Sequence, residues 1–459
     1  MKHKLTYLVV LLILALTGCN TTNNQLSEQE KNEGWELLFN GTNLSGWHDY
    51  NGDSLTGPWS VENGTIKAEG HGDDLNGYIV TEKEYDNFIL SWDWKISKGG
   101  NSGMLYHVVQ DKKYAVPYVT GPEYQIIDDI NFPQPLEEWQ KCAADYAMYL
   151  PDKTKMKVNP AGEWNTSKIV FDNGEVEYWI NGEVEYWING EKIIAFEAWS
   201  ADWFSRKEAG KWKNARDYGL SPTGVICLQD HGYPAWFKNI KIKKLERKEK
   251  EEWLFNGTST DAWRGIESDS FPQEGWKIVG DELIVMANEG NIPAGADIVT
   301  KRMYSNFILE LDYKLTTHAN SGIKYFVVNN IPGYEGQFLG LEYQIIDEAS
   351  YTEEELGNTL GNHKTGSLYE LVPAPADKLM NPPGEWNHVK LVVDGRNAVH
   401  WLNGKQMIDY ERGSEAFRGL VAKSKYSVYK DFGESPRGHI LLQGHNGEVA
   451  FKAIKIRHW

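Results

Sequence analysis

The sequence has few cysteines, no excess of basic residues and no familiar catalytic signature. Its three cysteines in 459 residues show no metal-type spacing, and we expect Cys142 and Cys227 to be buried and unpaired. The formal net charge of −18 argues against nucleic acid as a partner, because a phosphate backbone requires a basic surface. A nucleophile elbow, a zincin motif, a P-loop and a dinucleotide fingerprint are all missing. Any chemistry must therefore come from another arrangement of side chains.

The N-terminal residues predict a targeting segment. A positively charged start precedes an apolar run over residues 5–16, which is too short for a stable transmembrane helix. The L-T-G-C sequence that ends at Cys19 resembles a bacterial lipobox. We therefore expect a signal peptide over residues 1–19, lipidation of Cys19, and a lipid-anchored location in the cell envelope, periplasmic or surface-exposed. The polar residues 20–33 then form a flexible tether.

The chain contains the same series of motifs twice, in the same order. The pairs are L-F-N-G at 38–41 and 254–257, N-F-I-L at 87–90 and 306–309, N-S-G at 101–103 and 320–322, E-Y-Q-I-I-D at 123–128 and 342–347, and G-E-W-N at 162–165 and 384–387. We therefore predict two homologous domains over residues 34–245 and 252–459, joined by a charged linker over residues 246–251.

Each domain is predicted to be mostly β. Large apolar residues alternate with smaller or polar ones over residues 88–96 and again over residues 307–315, which is typical of half-buried strands. Many short strands separated by Gly- and Asn-rich turns favour a β-sandwich or jelly roll. The 19 Trp and 24 Tyr suit sheets and also suit sugar binding, because a flat ring covers the C–H face of a pyranose. Residues 136–148 are a short helical candidate.

An octapeptide, GEVEYWIN, occurs twice in succession, at residues 174–181 and 182–189. Alignment with the second domain places one copy in a hairpin whose turn corresponds to Asn403 and Gly404, and leaves the other copy without a counterpart. We interpret the extra copy as a duplication tolerated at a hairpin edge and carrying no function.

Polar residues occur on strands where apolar ones are expected. Because side chains alternate along a strand, Glu123 and Gln125 face the same way, as do Gln229 and His231. The second domain repeats both pairs, as Glu342 with Gln344 and Gln443 with His445. Two such strands could line a concave sugar-binding surface in which a carboxylate and an imidazole serve as acid and base. The alternative is a solvated outer face of a sandwich.

The succession N-S-G, G-x-E-Y-Q-I-I-D, G-E-W-N, W-I/L-N-G and L-Q-D-H-G with F-K-N-I-K-I resembles the 3-keto-disaccharide hydrolase domain family over nearly all of both domains. The resemblance implies an all-β fold of two tandem concanavalin-like jelly-roll sandwiches, and hydrolysis of glycosides oxidised at C3 of a sugar ring. Since a C3 ketone acidifies the C2 proton, a base can start an elimination that hydration completes. The competing interpretation is a non-catalytic, lectin-like lipoprotein that binds glycans.

The resemblance and the strand pattern together give the candidate site residues. The catalytic candidates are Glu123, His231, Asp128, Glu342 and His445. The substrate-binding candidates are Asn101, His107, Gln125, Tyr149, Gln229, Asp230, Asn320, Lys324, Gln344, Asp347, Tyr369 and Gln443. We expect Glu123 to act as acid or base with His231 as its partner, and the first domain to carry most activity, because the second domain lacks a counterpart of Asp230. The expected partners are an oxidised saccharide and, through Cys19, a membrane. No cofactor is implied with certainty, and a divalent metal stays open.

Overall fold

The computed structural model describes residues 23–73, 76–181, 191–286, 297–331, 333–356 and 360–459. The predicted signal peptide with Cys19, and the second copy of the octapeptide at 182–189, lie outside these residues. None of the helices in the described ranges is both long and apolar enough to cross a membrane. Cys142 and Cys227 are buried and unpaired, as expected.

Both halves of the chain consist mainly of strands. The strands of the first half are β1 Trp35–Leu37, β2 Trp47–Asp49, β3 Trp59–Glu62, β4 Thr65–Glu69, β5 Tyr78–Tyr85, β6 Phe88–Ile96, β7 Asn101–Val108, β8 Glu123–Ile127, β9 Asn165–Asp172, β10 Glu175–Ile180, β11 Glu191–Glu197, β12 Gly224–Asp230 and β13 Pro234–Lys244. Those of the second half are β14 Lys250–Phe255, β15 Trp263–Gly265, β16 Trp276–Val279, β17 Glu282–Val285, β18 Ile298–Thr300, β19 Phe307–Leu315, β20 Asn320–Val328, β21 Leu339–Ile346, β22 Trp386–Asp394, β23 Asn397–Leu402, β24 Lys405–Glu411, β25 His439–Leu442 and β26 Val449–His458.

Helices are few and short. The α-helices are α1 Glu28–Asn32, α2 Ala201–Ala209 and α3 Glu415–Val421. The 3-10 helices are Pro117–Val119, Glu138–Gln140, Lys211–Asn214, Glu348–Ser350 and Lys425–Val428.

Each half forms two antiparallel sheets. In the first half an eight-stranded sheet has the order β11-β10-β9-β6-β13-β4-β3, with β1 also paired to β13, and a five-stranded sheet has the order β2-β5-β12-β7-β8. The second half repeats this pairing strand for strand, as β16-β17-β26-β19-β22-β23-β24 with β14 on β26, and as β15-β18-β25-β20-β21. The predicted fold of two tandem jelly-roll sandwiches is therefore confirmed.

The hydrophobic core of each half lies between its two sheets. On β6, Phe88, Leu90, Trp92, Trp94 and Ile96 are all buried, as the period-two pattern predicted, and β19 shows the same alternation. On β8 and β21 the residues between the polar ones, such as Tyr124 and Tyr343, also belong to the cores. The polar side chains of these strands therefore point to the opposite face of the five-stranded sheets.

The prediction of a helix over residues 136–148 is wrong. Only the single 3-10 turn at Glu138–Gln140 forms, and the chain then runs along β8, where Asp145 bridges Tyr124. Ala143 and Ala147 both have φ of 62°, which a right-handed helix excludes. This segment pairs with the outer edge of β8, because the Tyr146 N–H donates to the Glu123 carbonyl at 3.0 Å.

The expected flexible tether is also contradicted where the structure describes it. Residues 23–33 contain α1, which begins with a capping box between Ser27 and Glu30. Asn24 exchanges hydrogen bonds with Asn239 of β13, at 2.6 Å and 2.8 Å. Glu30 also pairs with Lys241 on the same strand. These contacts fix the segment against the first sandwich.

The first copy of the duplicated octapeptide lies in a hairpin, as interpreted. The first copy supplies β10, which pairs with β9 on one side and with β11 on the other, where Ile180 faces Glu191. The equivalent strands β23 and β24 bring Leu402 opposite Lys405 across a turn of Asn403 and Gly404 alone. The first-domain connection, residues 181–190, is thus longer by one octapeptide, and the paired strands have the same register.

Candidate active site

The polar side chains of the second domain come together on its five-stranded sheet. Lys324 on β20 lies opposite Glu342 on β21, and Gly322 lies opposite Gln344. On the other side of β20 the Gln443 N–H donates to the Gly322 carbonyl at 3.0 Å. Opposed residues of antiparallel strands share a face, so these side chains form one cluster.

A glycine makes room for the acidic residue of this cluster. A Cβ on Gly322 would lie 2.4 Å from Oε1 of Glu342, and a Cβ on Gly103 would lie 2.2 Å from Oε1 of Glu123. Carbon and oxygen atoms cannot approach so closely, and any larger residue would therefore displace the carboxyl group. The N-S-G motif is thus explained by the carboxyl group across the strand pair.

A cleft of about 400 Å³ opens above the cluster. Seven of the predicted residues line it, namely Asn320, Lys324, Glu342, Gln344, Tyr369, Gln443 and His445. Glu342 is only 7% exposed and Gln344 only 3%. Such burial excludes a solvated outer face, which was the alternative interpretation of these strand residues.

Charge is concentrated in this cleft. Burial raises the pKa of Glu342 above its usual range, while Lys324 and Lys425 oppose the shift. Burial likewise raises the pKa of Asp297, whose carboxylate accepts the N–H of Gly444 at 2.9 Å. Burial, followed by Lys324, lowers the pKa of His445. The cleft therefore holds a carboxyl group of increased basicity beside two ammonium groups.

Sequence reasoning missed Lys425 and Asp297. Lys425 begins a 3-10 helix and places its Nζ 4.4 Å from the ring centroid of Tyr369, but no local pattern links it to the strand motifs. Asp297 directly precedes the apolar strand β18, where Ile298 pairs with Leu442, next to Gln443. An acidic residue beside a buried strand was the one available signal.

The first domain repeats the arrangement with different charges. Gln229, Gly103 and Gln125 form the equivalent row, and Glu123 lies opposite Leu105. Leu105 stands where the second domain has Lys324. Tyr78, which pairs with Gln229, occupies the position that Asp297 has in the second domain. Burial raises the pKa of Glu123 to about 8, with Lys211 opposing the shift.

Tyr149 is not in this group. Its hydroxyl donates to Asp202 at 2.8 Å, and its ring stacks on Phe196 with centroids 4.1 Å apart. The true counterpart of Tyr369 is Tyr146. The Tyr369 N–H donates to the Glu342 carbonyl at 3.0 Å, just as the Tyr146 N–H donates to the Glu123 carbonyl. Nζ of Lys211 lies 4.4 Å from the Tyr146 ring centroid, the same distance that separates Lys425 from Tyr369.

Asp128 and Asp347 hold turns instead of lining the site. Both directly follow the strands that carry the glutamates. The Asp128 carboxylate accepts the N–H groups of Gly99, at 2.8 Å, and of Asn131. The Asp347 carboxylate accepts the N–H of His318 at 3.0 Å. With their oxygens used by the backbone, these residues fit a structural role.

Asp230, His107 and His231 also depart from their expected roles. The Asp230 carboxylate accepts the Gly70 N–H at 2.9 Å and so anchors a loop, and its absence from the second domain removes no acid or base. The His107 ring is buried 4.4 Å from that of Phe171, with Nε2 2.8 Å from a backbone carbonyl. His231 is exposed, one residue beyond β12.

Asn101 retains a position beside the first-domain row, two residues before Gly103 on the same face of β7. No metal site accompanies either polar face in the ranges that the structure describes. Within them, no three His, Cys, Asp or Glu side chains are grouped so that they could hold an ion.

Fold and site together define a tandem jelly-roll protein with a buried polar cluster on the shorter sheet of each half. The chain belongs to the family described as the 3-keto-alpha-glucoside-1,2-lyase-like domain, which matches residues 34–243 and again residues 250–457. The predicted membership of this family, in two tandem copies, is confirmed.

Individual relatives match about one domain. The chain is 31% identical over 242 residues to a 3-keto-disaccharide hydrolase of Bacteroides thetaiotaomicron, an alignment that covers 47% of this chain and 79% of the relative. A crystal structure from Parabacteroides distasonis, of a protein proposed to be a glycosyl hydrolase, is 46% identical and covers 49% of this chain and 100% of its own, with a TM-score of 0.45. A second such protein from the same organism is 27% identical and covers 46% and 100%, with a TM-score of 0.35.

Proposed function

We propose that the chain hydrolyses 3-keto-glycosides by elimination and hydration, and that the reaction takes place in the cleft of the second domain. The observation that carries this proposal is the placement of the Lys324 ammonium group directly across the strand pair from the buried Glu342 carboxyl. The family description and the name of the Bacteroides relative support the same substrate class.

Each step of the reaction has a suitable group in the cleft. Glu342 removes the C2 proton, and a raised pKa makes its carboxylate a stronger base than a solvent-exposed one. The electron pair moves to the ketone oxygen, where Lys324 stabilises the developing enolate. The ketone re-forms as the C1–O bond breaks, and the departing oxygen takes the proton that Glu342 holds.

Hydration completes the reaction. Water adds to C1 of the resulting enone, and the proton that it loses passes through His445 to C2. The lowered pKa of His445 leaves its imidazole neutral near pH 7 and able to accept that proton. Gln344 and Gln443 face the same cleft and are placed to hold the remaining hydroxyl groups. The net change is the addition of one water across the glycosidic bond.

The test compares the full-length protein with its Glu342→Gln and Lys324→Met variants, using 3-keto-trehalose and 3-keto-lactose as substrates. We expect each variant to lose at least about a hundredfold in turnover, as for removal of a general base or an oxyanion donor. The unoxidised disaccharides should not be cleaved, because they lack the acidified C2 proton. Thermal melting curves check that the variants fold.

Glu123→Gln is the matched variant in the first domain. A hundredfold loss in Glu123→Gln with full activity in Glu342→Gln would place the reaction in the first domain and contradict the proposal. Cleavage of the unoxidised sugars at the same rate would contradict the elimination chemistry.

A further inference from the structure

The polar face of the first domain contains buried oxygen atoms that lack donors. Gln229 is 4% exposed, and its Oε1 has no hydrogen-bond partner among the described residues. Oδ1 of Asn101 is also buried and also has no hydrogen-bond partner among the described residues. The two residues lie diagonally across Gly103, on the face that also carries Glu123. These atoms form an acceptor cluster, defined by Asn101 and Gln229.

The second domain satisfies the corresponding atom internally. There Nε2 of Gln344 donates to Oδ1 of Asn320 at 3.1 Å. In the first domain the equivalent amide, from Gln125, donates instead to the Gln140 carbonyl at 3.0 Å, so that Asn101 is left unpaired. Since most buried acceptors in folded proteins have a donor, an acceptor cluster of this kind suits a ligand that supplies hydrogen atoms.

Hydroxyl groups are the donors that match this cluster. The first-domain face has one ammonium group fewer than the second, because Leu105 replaces Lys324 while Lys211 remains near Glu123, and it lacks the second carboxylate, because Tyr78 replaces Asp297. A ketone or an enolate oxygen needs a donor and finds none at Leu105, whereas a sugar hydroxyl can donate to Gln229 or Asn101. The raised pKa of Glu123 adds a neutral carboxyl group, which both donates and accepts.

Two aromatic rings near Glu123 suit contact with a sugar ring. Trp139 and Tyr146 are half-buried, with ring centroids 5.2 Å apart, in the segment that runs along β8. Aromatic rings cover the C–H faces of pyranoses and contribute apolar contact area. Buried acceptors together with aromatic rings are the combination that an uncharged saccharide requires.

We propose that the first domain binds an unoxidised, neutral saccharide through its hydroxyl groups and does not cleave it. The first domain then recognises the hydroxylated sugar, and the second domain carries out the reaction of the ketone. Only this division rests on the proposed function, since binding to the first domain does not depend on turnover in the second.

The experiment measures binding of trehalose, lactose and cellobiose to the full-length Glu342→Gln protein by isothermal titration calorimetry. We expect at least one disaccharide to bind with a stoichiometry of one. Adding Gln229→Leu should weaken that binding by roughly tenfold or more, because one buried acceptor is removed. Asn101→Ser, at the half-buried start of β7, is a second variant that removes the other amide acceptor and should weaken binding similarly.

Gln443→Leu is the matched control, since it makes the same change at the equivalent position of the second domain. It changes only the second-domain cleft, so the binding at the first domain should persist with a stoichiometry of one. Loss of binding in Gln443→Leu but not in Gln229→Leu would place the neutral sugar in the second domain and overturn the inference. Absence of binding by all three disaccharides at millimolar concentration would overturn it as well.

The two proposals fail separately. Turnover of 3-keto-trehalose without binding of neutral sugars refutes the inference alone. Binding of a neutral sugar that depends on Gln229, without turnover of 3-keto substrates, refutes the proposed function alone.

Discussion

Two glutamates at equivalent positions acquire different properties from their neighbours. Glu123 and Glu342 are equally buried, at 6% and 7% exposure. Glu342 has Lys324 and Lys425 nearby, whereas Glu123 has only Lys211 opposing the effect of burial on its pKa. The charge state of each carboxyl group therefore depends on the residue across the strand pair, and the shared E-Y-Q-I-I-D motif does not reveal it.

Glu123 makes stability depend on pH. Its folded pKa of about 8 lies above the ordinary value of 4.5, so the folded state holds a proton that the unfolded state releases between these values. The stabilisation is complete below pH 4.5 and is lost as pH rises through 8. We expect the urea midpoint of the wild type to fall between pH 5 and pH 8, with a loss of up to about 4 kcal/mol in unfolding free energy.

Glu123→Gln should remove the part of this pH dependence that the Glu123 carboxyl contributes, because an amide of similar shape does not titrate. The part that remains comes from Asp145, whose pKa burial also raises to about 8. Urea titrations at both pH values measure the change in unfolding free energy. Glu342→Gln is the control, because Lys324 and Lys425 oppose the effect of burial on the pKa of Glu342. Equal slopes in the wild type and in Glu123→Gln would show that the carboxyl group is ionised when folded.

The sequence predicts the site residues on strands better than those on loops. Alternation along β8 and β21 was enough to place Glu123, Gln125, Glu342 and Gln344 on one face. The predicted Tyr149 lies three residues beyond Tyr146, which is the true counterpart of Tyr369. The turns between β8 and Tyr149 include two positive φ values that no residue pattern signalled, since both fall on alanine.

At the level of elements, regular strands were predicted and irregular segments were not. The bounds of β6 and β19 agree with the period-two runs. Residues 136–148 have helical composition, but tertiary pairing of Asp145 with Tyr124 overrides that local preference. The short helices α2 and α3, each capped by a serine, have too few residues for a periodic pattern to stand out.

The hairpin of β10 and β11 leads to a prediction about length. Deleting residues 182–189 joins Asn181 to Gly190 and reproduces the Asn-Gly turn of the second domain. Closing a shorter loop costs less entropy, so we expect the free energy of unfolding to stay level or rise by about 1 kcal/mol. Chemical denaturation of the deletion variant measures this. A loss of several kcal/mol would mean that the extra octapeptide contributes packed structure.

At the level of the whole molecule, Arg437 joins the two domains. Its guanidinium group is buried and lies 3.2 Å from the ring centroid of Trp199 in the first domain. It donates to the Leu220 carbonyl of that domain at 3.3 Å, and to Met303 and Ser305 of the second domain at 3.2 Å and 3.1 Å. One side chain therefore satisfies backbone and side-chain acceptors of both sandwiches.

Arg437→Leu should destabilise the junction. The carbonyls of Leu220 and Met303 lose their donor, and we expect a loss of about 3 kcal/mol in unfolding free energy. Differential scanning calorimetry should also show the two domains unfolding in more widely separated transitions. Arg418→Ala is the control, because its ion pair with Glu434 is largely exposed on the arginine side and should contribute at most about 1 kcal/mol. A single unchanged transition in Arg437→Leu would contradict this role.

The strand-for-strand equivalence of the two halves has an evolutionary consequence. A gene duplication supplies two copies of one sheet, and the charges on that sheet differ at two facing positions, Leu105 against Lys324 and Tyr78 against Asp297. Neither position contributes to the packing between the sheets, since both lie on the outer face. A duplicated copy can therefore change the charges of its polar face through substitutions at buried positions of the outer face, while the core between its sheets is inherited unchanged.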